Sequence, residues 1–234
     1  MKRFLVSTFS LLTLAGSALG VQTVSVGRAA GTYSESDHAG EFRLTLYGDP
    51  TPGLIGERPF QSFCIEREID VQSIPAMTYD VTISRRISST ERTLTPEAAY
   101  LYYSFIRGTL VNDYNYDLGP GRETSARVLQ AAIWLVQGQS GSLLDLLTVD
   151  ANWDQVDGSS SEYARASAFV AEAQNSGWTS IGDVHVLNLA SLQGTGENED
   201  GQDMLVLLVP APGAIALGAV GLAMLGCLRR RSRF

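Results

Sequence analysis

Lysine is almost missing from this 234-residue sequence: Lys2 is the only one, and every other basic side chain is an arginine. A bias toward arginine codons is one account of that. Cysteine is nearly as scarce, with Cys64 in the body and Cys227 close to the C-terminus. Cys227 falls at the end of an apolar segment and cannot easily reach Cys64, so no internal disulfide is available and a disulfide scaffold is excluded. Cys64 is then a leftover thiol, which means an intermolecular bond, an inert buried group, or special chemistry. Histidine is limited to His38 and His185, too few and too far apart for a zinc site on paired histidines. A serine hydrolase triad has no nucleophile motif to support it.

The ends of the chain are unlike its middle. Met1 to Gly20 has a charged start at Lys2 and Arg3, an apolar run from Phe4 to Leu14, and small residues at Ala18-Leu19-Gly20. That layout predicts a secretory signal over residues 1–20, with the mature chain beginning near Val21 and folding outside the cytoplasm. Gly213 to Leu228 is apolar and uncharged, and Arg229, Arg230, Arg231 and Arg233 follow at once, the order of a membrane anchor with a positive-inside flank. The span is slightly short for a full crossing, and Pro210 and Pro212 stop a helix from continuing into it.

Taking away the six basic residues of the two ends leaves 11 of the 17 against all 25 acidic residues, a body of charge −14. Such a body has no attraction for nucleic acid. With both ends removed, roughly 190 residues remain, enough for one core of useful size.

Within that body the pattern changes twice. Val21 to Gly27, Glu41 to Tyr47, Phe60 to Glu66 and Thr78 to Ser84 alternate as strands do. In the third of these, Gln61, Phe63 and Ile65 face one way and Ser62, Cys64 and Glu66 the other, which places Cys64 on a strand. Thr95-Pro96-Glu97 then starts a helix that runs through Phe105 and stops by Gly108, with threonine as N-cap and proline at the first helical position. A turn-rich segment, Asn112 to Gly121, leads to Ser125–Gly138, where Val128, Leu129, Ala132, Ile133, Leu135 and Val136 recur at helical spacing. Ser142 to Leu147 follows, and Ser159 or Ser160 caps a helix through Ala173 that ends near Asn175 to Gly177. Strand pattern returns at Asp183 to Leu189 and Gln202 to Val209. Helices set between two groups of strands predict an α+β fold, a β-sandwich or barrel with an inserted helical subdomain, flanked by the N-terminal signal and the C-terminal anchor helix.

Several clusters of polar residues compete for a function. Asp113, Asn115 and Asp117 with Gly119 resemble a calcium loop, yet the glycine is one position late and Thr124 stands where a closing glutamate belongs. An ordinary turn cluster is the better reading, and no cofactor is expected. Asp150, Asn152, Asp154 and Asp157 fit no loop template. Tyr100, Tyr102, Tyr103, Tyr114 and Tyr116 could stack on sugars, although residues at this spacing more often pack. Gln130 and Trp134 lie four apart and share a helix face, so an amide and an indole project together from a largely apolar element. A buried amide needs a partner, and a hydrogen-bonded core amide beside a packing tryptophan is the ordinary solution.

Two resemblances sharpen this. Val209-Pro210-Ala211-Pro212, the apolar segment and the arginine cluster together resemble the PEP-CTERM sorting signal of exported proteins in Gram-negative and related bacteria, over residues 209–234. Ala211 stands where the motif has glutamate. The resemblance implies an exosortase-type processing enzyme as partner and placement at the cell surface or in an extracellular matrix. A plain C-terminal anchor is the alternative.

The second resemblance joins Phe63-Cys64-Ile65-Glu66 on a strand to Leu129-Gln130-Ala131-Ala132-Ile133-Trp134 on a helix. Together they resemble the thioester domains of bacterial surface adhesins, in which a strand cysteine is bonded to the glutamine of a Thr-Gln-x-x-x-Trp-like motif. Leu129 replaces the usual threonine, and the family is best known from Gram-positive wall proteins. The resemblance implies a thioester-type domain over residues 21–208, with Cys64 and Gln130 as the linked pair and Trp134 packed beside the bond. Glu66, on the same strand face as Cys64, is a candidate proton acceptor, against the commoner case of an exposed strand carboxylate. In chemical terms a thiol beside a primary carboxamide displaces ammonia to store an acyl group until an amine or hydroxyl attacks. A lysine-free body then acquires a use, because it presents no side-chain amine to consume the bond. The expectation is a single-use covalent attachment to an amine or hydroxyl on a partner or matrix, and not a turnover enzyme. A surface or matrix protein with the same fold and no thioester is the alternative, and a thiol-dependent hydrolase is a third reading that lacks a histidine partner.

Overall fold

Alternation along the strands and the helical period between them become one antiparallel sheet and a layer of four helices. The structure is a computed structural model, which describes residues 22–28, 40–47, 59–67, 77–112, 114–147, 160–192 and 201–208. The signal at residues 1–20 and the sorting residues Val209, Pro210, Ala211 and Pro212 lie outside them, as do His38, Asp113 and the acidic residues from 150 to 157. Among the described residues no helix is long and apolar enough to cross a membrane.

The strands are β1 (Gln22–Arg28), β2 (Phe42–Tyr47), β3 (Phe60–Ser62), β4 (Met77–Ser84), β5 (Val184–Leu192) and β6 (Met204–Leu207). They form a six-stranded sheet in the order β3-β2-β1-β4-β5-β6, antiparallel throughout, with an irregularity between Tyr79 and Asp80. Phe42, Leu44 and Leu46 are buried while Arg43 and Tyr47 are exposed, as the alternation in β2 requires. The fold is therefore α+β. The helices α1 (Pro96–Arg107), α2 (Pro120–Gln137), α3 (Leu143–Leu147) and α4 (Ser161–Gln174) all fall between the neighbouring strands β4 and β5.

The helix ends follow their local chemistry. Thr95 Oγ1 accepts from Ala98 N at 3.2 Å, Ser160 Oγ accepts from Tyr163 N at 3.2 Å, and Gly108 and Gly138 close α1 and α2 at φ 65° and 77°. The central helix begins five residues before the expected Ser125. Pro120 takes its first helical position, where the missing N–H is no loss, and the hydroxyls of Thr124 and Ser125 return to the carbonyls of Pro120 and Gly121.

The expected strand over Phe60 to Glu66 is shorter than the alternation predicted and changes partner. It pairs with β2 only as far as Ser62, opposite Phe42. Beyond that the chain turns to β6: Leu205 N donates to Phe63 O at 3.0 Å and Ile65 N to Asp203 O at 2.9 Å, with Cys64 opposite Met204. The segment following one edge strand thus bonds to the other edge strand, β6, and removes pairing groups that would otherwise face solvent. Ser62 to Glu66 are all buried, so the two-face reading of this segment does not separate core from surface. Phe63 meets Phe105 of α1 edge-on at 4.9 Å, and the Tyr102 hydroxyl donates to Gln61 O, which seats the helical layer over this junction.

Candidate functional site

At the Cys64–Met204 bridge the ladder hydrogen bonds come from the residues on either side, Phe63 and Ile65. Cys64 and Met204 therefore form a non-hydrogen-bonded pair, the arrangement in which opposed side chains approach most closely. Their sulfurs are 3.7 Å apart, and both residues are fully buried. The same geometry turns the N–H and C=O of Cys64 away from β6, where a further strand would have to satisfy them.

Gln130 of α2 does so instead. Cys64 N donates to Gln130 Oε1 at 3.0 Å, and Gln130 Nε2 donates to Cys64 O at 2.7 Å. One carboxamide thus replaces one residue of a missing strand across 66 positions of sequence. Gln130 is fully buried and Trp134, one turn later on the same face, is 2% exposed. The structure brings Cys64 and Gln130 into direct contact, the amide seated on the cysteine main chain and sealed from water.

Gln137, two turns further along α2, repeats the device without a thiol. Its Oε1 accepts from Thr95 N at 2.9 Å and its Nε2 donates to Thr93 O at 3.1 Å. Nothing in the helical periodicity distinguished Gln137, and it was not among the expected site residues. Its heptad spacing from Gln130 is the signal that could have found it.

Glu66 takes a different place from the exposed strand carboxylate that is commoner. It is buried, its Oε2 accepting from Asp203 N at 2.9 Å and its Oε1 from the Ser89 hydroxyl. Asp203 is fully buried beside it and accepts from Ser88 N, Ser88 Oγ, Asn188 Nδ2 and Leu189 N. These two carboxyl groups tie the junction to the Ser88–Ser89 turn and to β5. Burial, with the nearby Glu66 charge adding to it, pushes the Asp203 carboxyl up to about 6 against the opposing donors Ser88 and Asn188. A carboxyl whose folded value is raised binds its proton more tightly when folded. Stability is therefore expected to rise as pH falls through about 6 and to level off near the ordinary aspartate value, by up to about 3 kcal/mol. Denaturant midpoints at pH 7 and pH 5 check this, and Asp203→Asn should remove the increment.

The remaining expectations resolve into packing. Tyr102 and Tyr114 are buried, Tyr100 donates to Glu172, and Tyr116 stacks on Phe105 at 5.9 Å, so the tyrosines are bound to the fold rather than arrayed as a platform. Asn115 Oδ1 accepts from Asp117 N at 2.9 Å, a local turn bond within the segment that resembled a calcium loop. Among the described residues no group of three or more His, Cys, Asp and Glu side chains is arranged to hold a metal. His185 lies on β5 with Nδ1 3.2 Å from Asp183 O.

No protein-family model, curated protein or solved structure matches this chain.

Proposed function

We propose that this chain is an exported surface or matrix protein whose Cys64 and Gln130 form an internal thioester, used once to attach the protein covalently to an amine or hydroxyl. The observation that carries the reading is the Gln130 amide, held on the main chain of the cysteine whose thiol would attack it, in a water-excluded core. Cys64 Sγ adds to Gln130 Cδ, and the C–N bond breaks. The ammonia that leaves takes up the thiol proton, so atoms and charge balance. Negative charge develops on Oε1 in the tetrahedral intermediate, where Cys64 N–H already donates. The second hydrogen bond, from Nε2 to Cys64 O, holds the departing nitrogen in place.

In this reading the junction between β6 and the segment after β3 makes the sheet a barrel, with the helices as an insertion that carries Gln130 to Cys64. Secretion, membrane anchoring and processing by an exosortase-type enzyme rest on the sequence of the two ends.

A second reading, a structural surface protein with the same fold and no thioester, is favoured by one specific observation. Gln137 makes the same pair of main-chain bonds where there is no thiol, so such an amide has a purely structural use.

Intact mass of freshly purified protein separates the two. The thioester makes the chain one ammonia lighter than its processed sequence and hides the Cys64 thiol. Methylamine should restore the thiol and add its own mass at Gln130. The same spectrum reads whether residues 1–20 and the arginine cluster have been removed. Full mass, with Cys64 titrating at once after unfolding and glutamine intact at 130, sinks the thioester and leaves the structural reading.

A further inference from the structure

Trp134 is 2% exposed, and its indole N–H is buried with no hydrogen-bond partner. Such a donor costs free energy unless it has a use, because it has lost water and gained nothing in exchange. It lies one turn after Gln130, and helical Cα–Cβ bonds tilt toward the N-terminus, which leans the indole over the turn that holds Gln130. We infer that the indole N–H of Trp134 is a second oxyanion donor, completing with Cys64 N–H the stabilisation of Gln130 Oε1 when a nucleophile attacks.

The inference rests on the thioester reading and deepens it. In the resting amide, Oε1 accepts from Cys64 N at 3.0 Å. In the tetrahedral intermediate the same oxygen carries a full negative charge and gains lone pairs, so it takes a donor that the neutral carbonyl leaves unused. When an amine attacks the thioester, its nitrogen bonds to Cδ and the C–S bond breaks. The proton released from the amine goes to the Cys64 thiolate, and the charge on Oε1 collapses back to a carbonyl. Trp134 is a positioning donor to the reacting oxygen throughout and exchanges no proton. Its partner is the transition state, which explains why the ground state leaves it unpaired.

The test is the rate at which methylamine opens the thioester in the full-length processed protein, read as adduct mass and released thiol. Trp134→Phe keeps the apolar packing and removes the N–H. Site-specific replacement of Trp134 by its benzothiophene analogue exchanges N–H for sulfur at nearly constant shape, and serves if the phenylalanine variant does not fold. Either is expected to slow adduct formation by about a hundredfold, with an unchanged denaturation midpoint, since the donor makes no bond in the resting protein. A variant with its ammonia deficit intact that reacts at the parental rate overturns the donor role alone. A parental protein of full sequence mass removes the thioester reading, and this inference with it.

Discussion

Gln130→Ala is expected to lower the unfolding free energy by about 3–5 kcal/mol, because it strands the N–H and the C=O of Cys64 in a fully buried site. Each stranded group costs its own desolvation, and the truncated side chain leaves a cavity in addition. Cys64→Ala keeps both of those bonds, since they are made by main chain. Its cost therefore reports on something else. Closing a loop of 66 positions with a covalent link restricts the unfolded chain by on the order of 4 kcal/mol in the chain-entropy account. If the thioester forms, Cys64→Ala should lose that amount together with the packing of one small side chain. Equilibrium denaturation of both variants beside the parent distinguishes the cases: a Cys64→Ala loss of only about 1 kcal/mol means that the two residues are joined by hydrogen bonds alone.

The second large effect is expected far from the cysteine, at the start of α2. Arg122 is nearly buried, and its Nε and Nη2 donate to Glu41 Oε2 and Oε1 at 2.9 and 2.5 Å; Glu41 is fully buried just before β2. The Tyr114 hydroxyl also donates to Glu41, and Arg122 Nη1 caps Tyr116 O at 2.6 Å. Burial and the Glu41 charge together hold the Tyr114 hydroxyl well above its ordinary value, so it stays a neutral donor. Arg122→Met should cost about 3–5 kcal/mol, because it leaves the Glu41 carboxylate buried without its counter-charge. Glu41→Leu with Arg122→Met should recover most of that loss, as two apolar side chains remove both desolvation penalties at once. Thermal or urea unfolding of the single and double variants gives the comparison, and a double variant no better than the single one would contradict the account.

The sequence by itself determined the kinds of element and their order. Threonine and serine caps, Pro96, the glycine stops at 108 and 138, and the alternation through β2 and β4 act within a few residues, so they are readable without knowing what packs against what. It also determined that Cys64 has no disulfide partner within the body and that Gln130 and Trp134 share a face. The tertiary structure decided where β3 stops, because the chain beyond Ser62 exchanges one neighbouring strand for another, and no local pattern encodes that exchange. It decided that Pro120 to Thr124 belongs to α2, since Arg122 draws that turn onto Glu41 from 81 positions away. It decided that Glu66 is buried at a junction rather than exposed on a strand. Above all it decided what Gln130 holds: a helix pattern specifies the face on which an amide projects, whereas the unpaired main chain of Cys64 arises only once β3 and β6 have met.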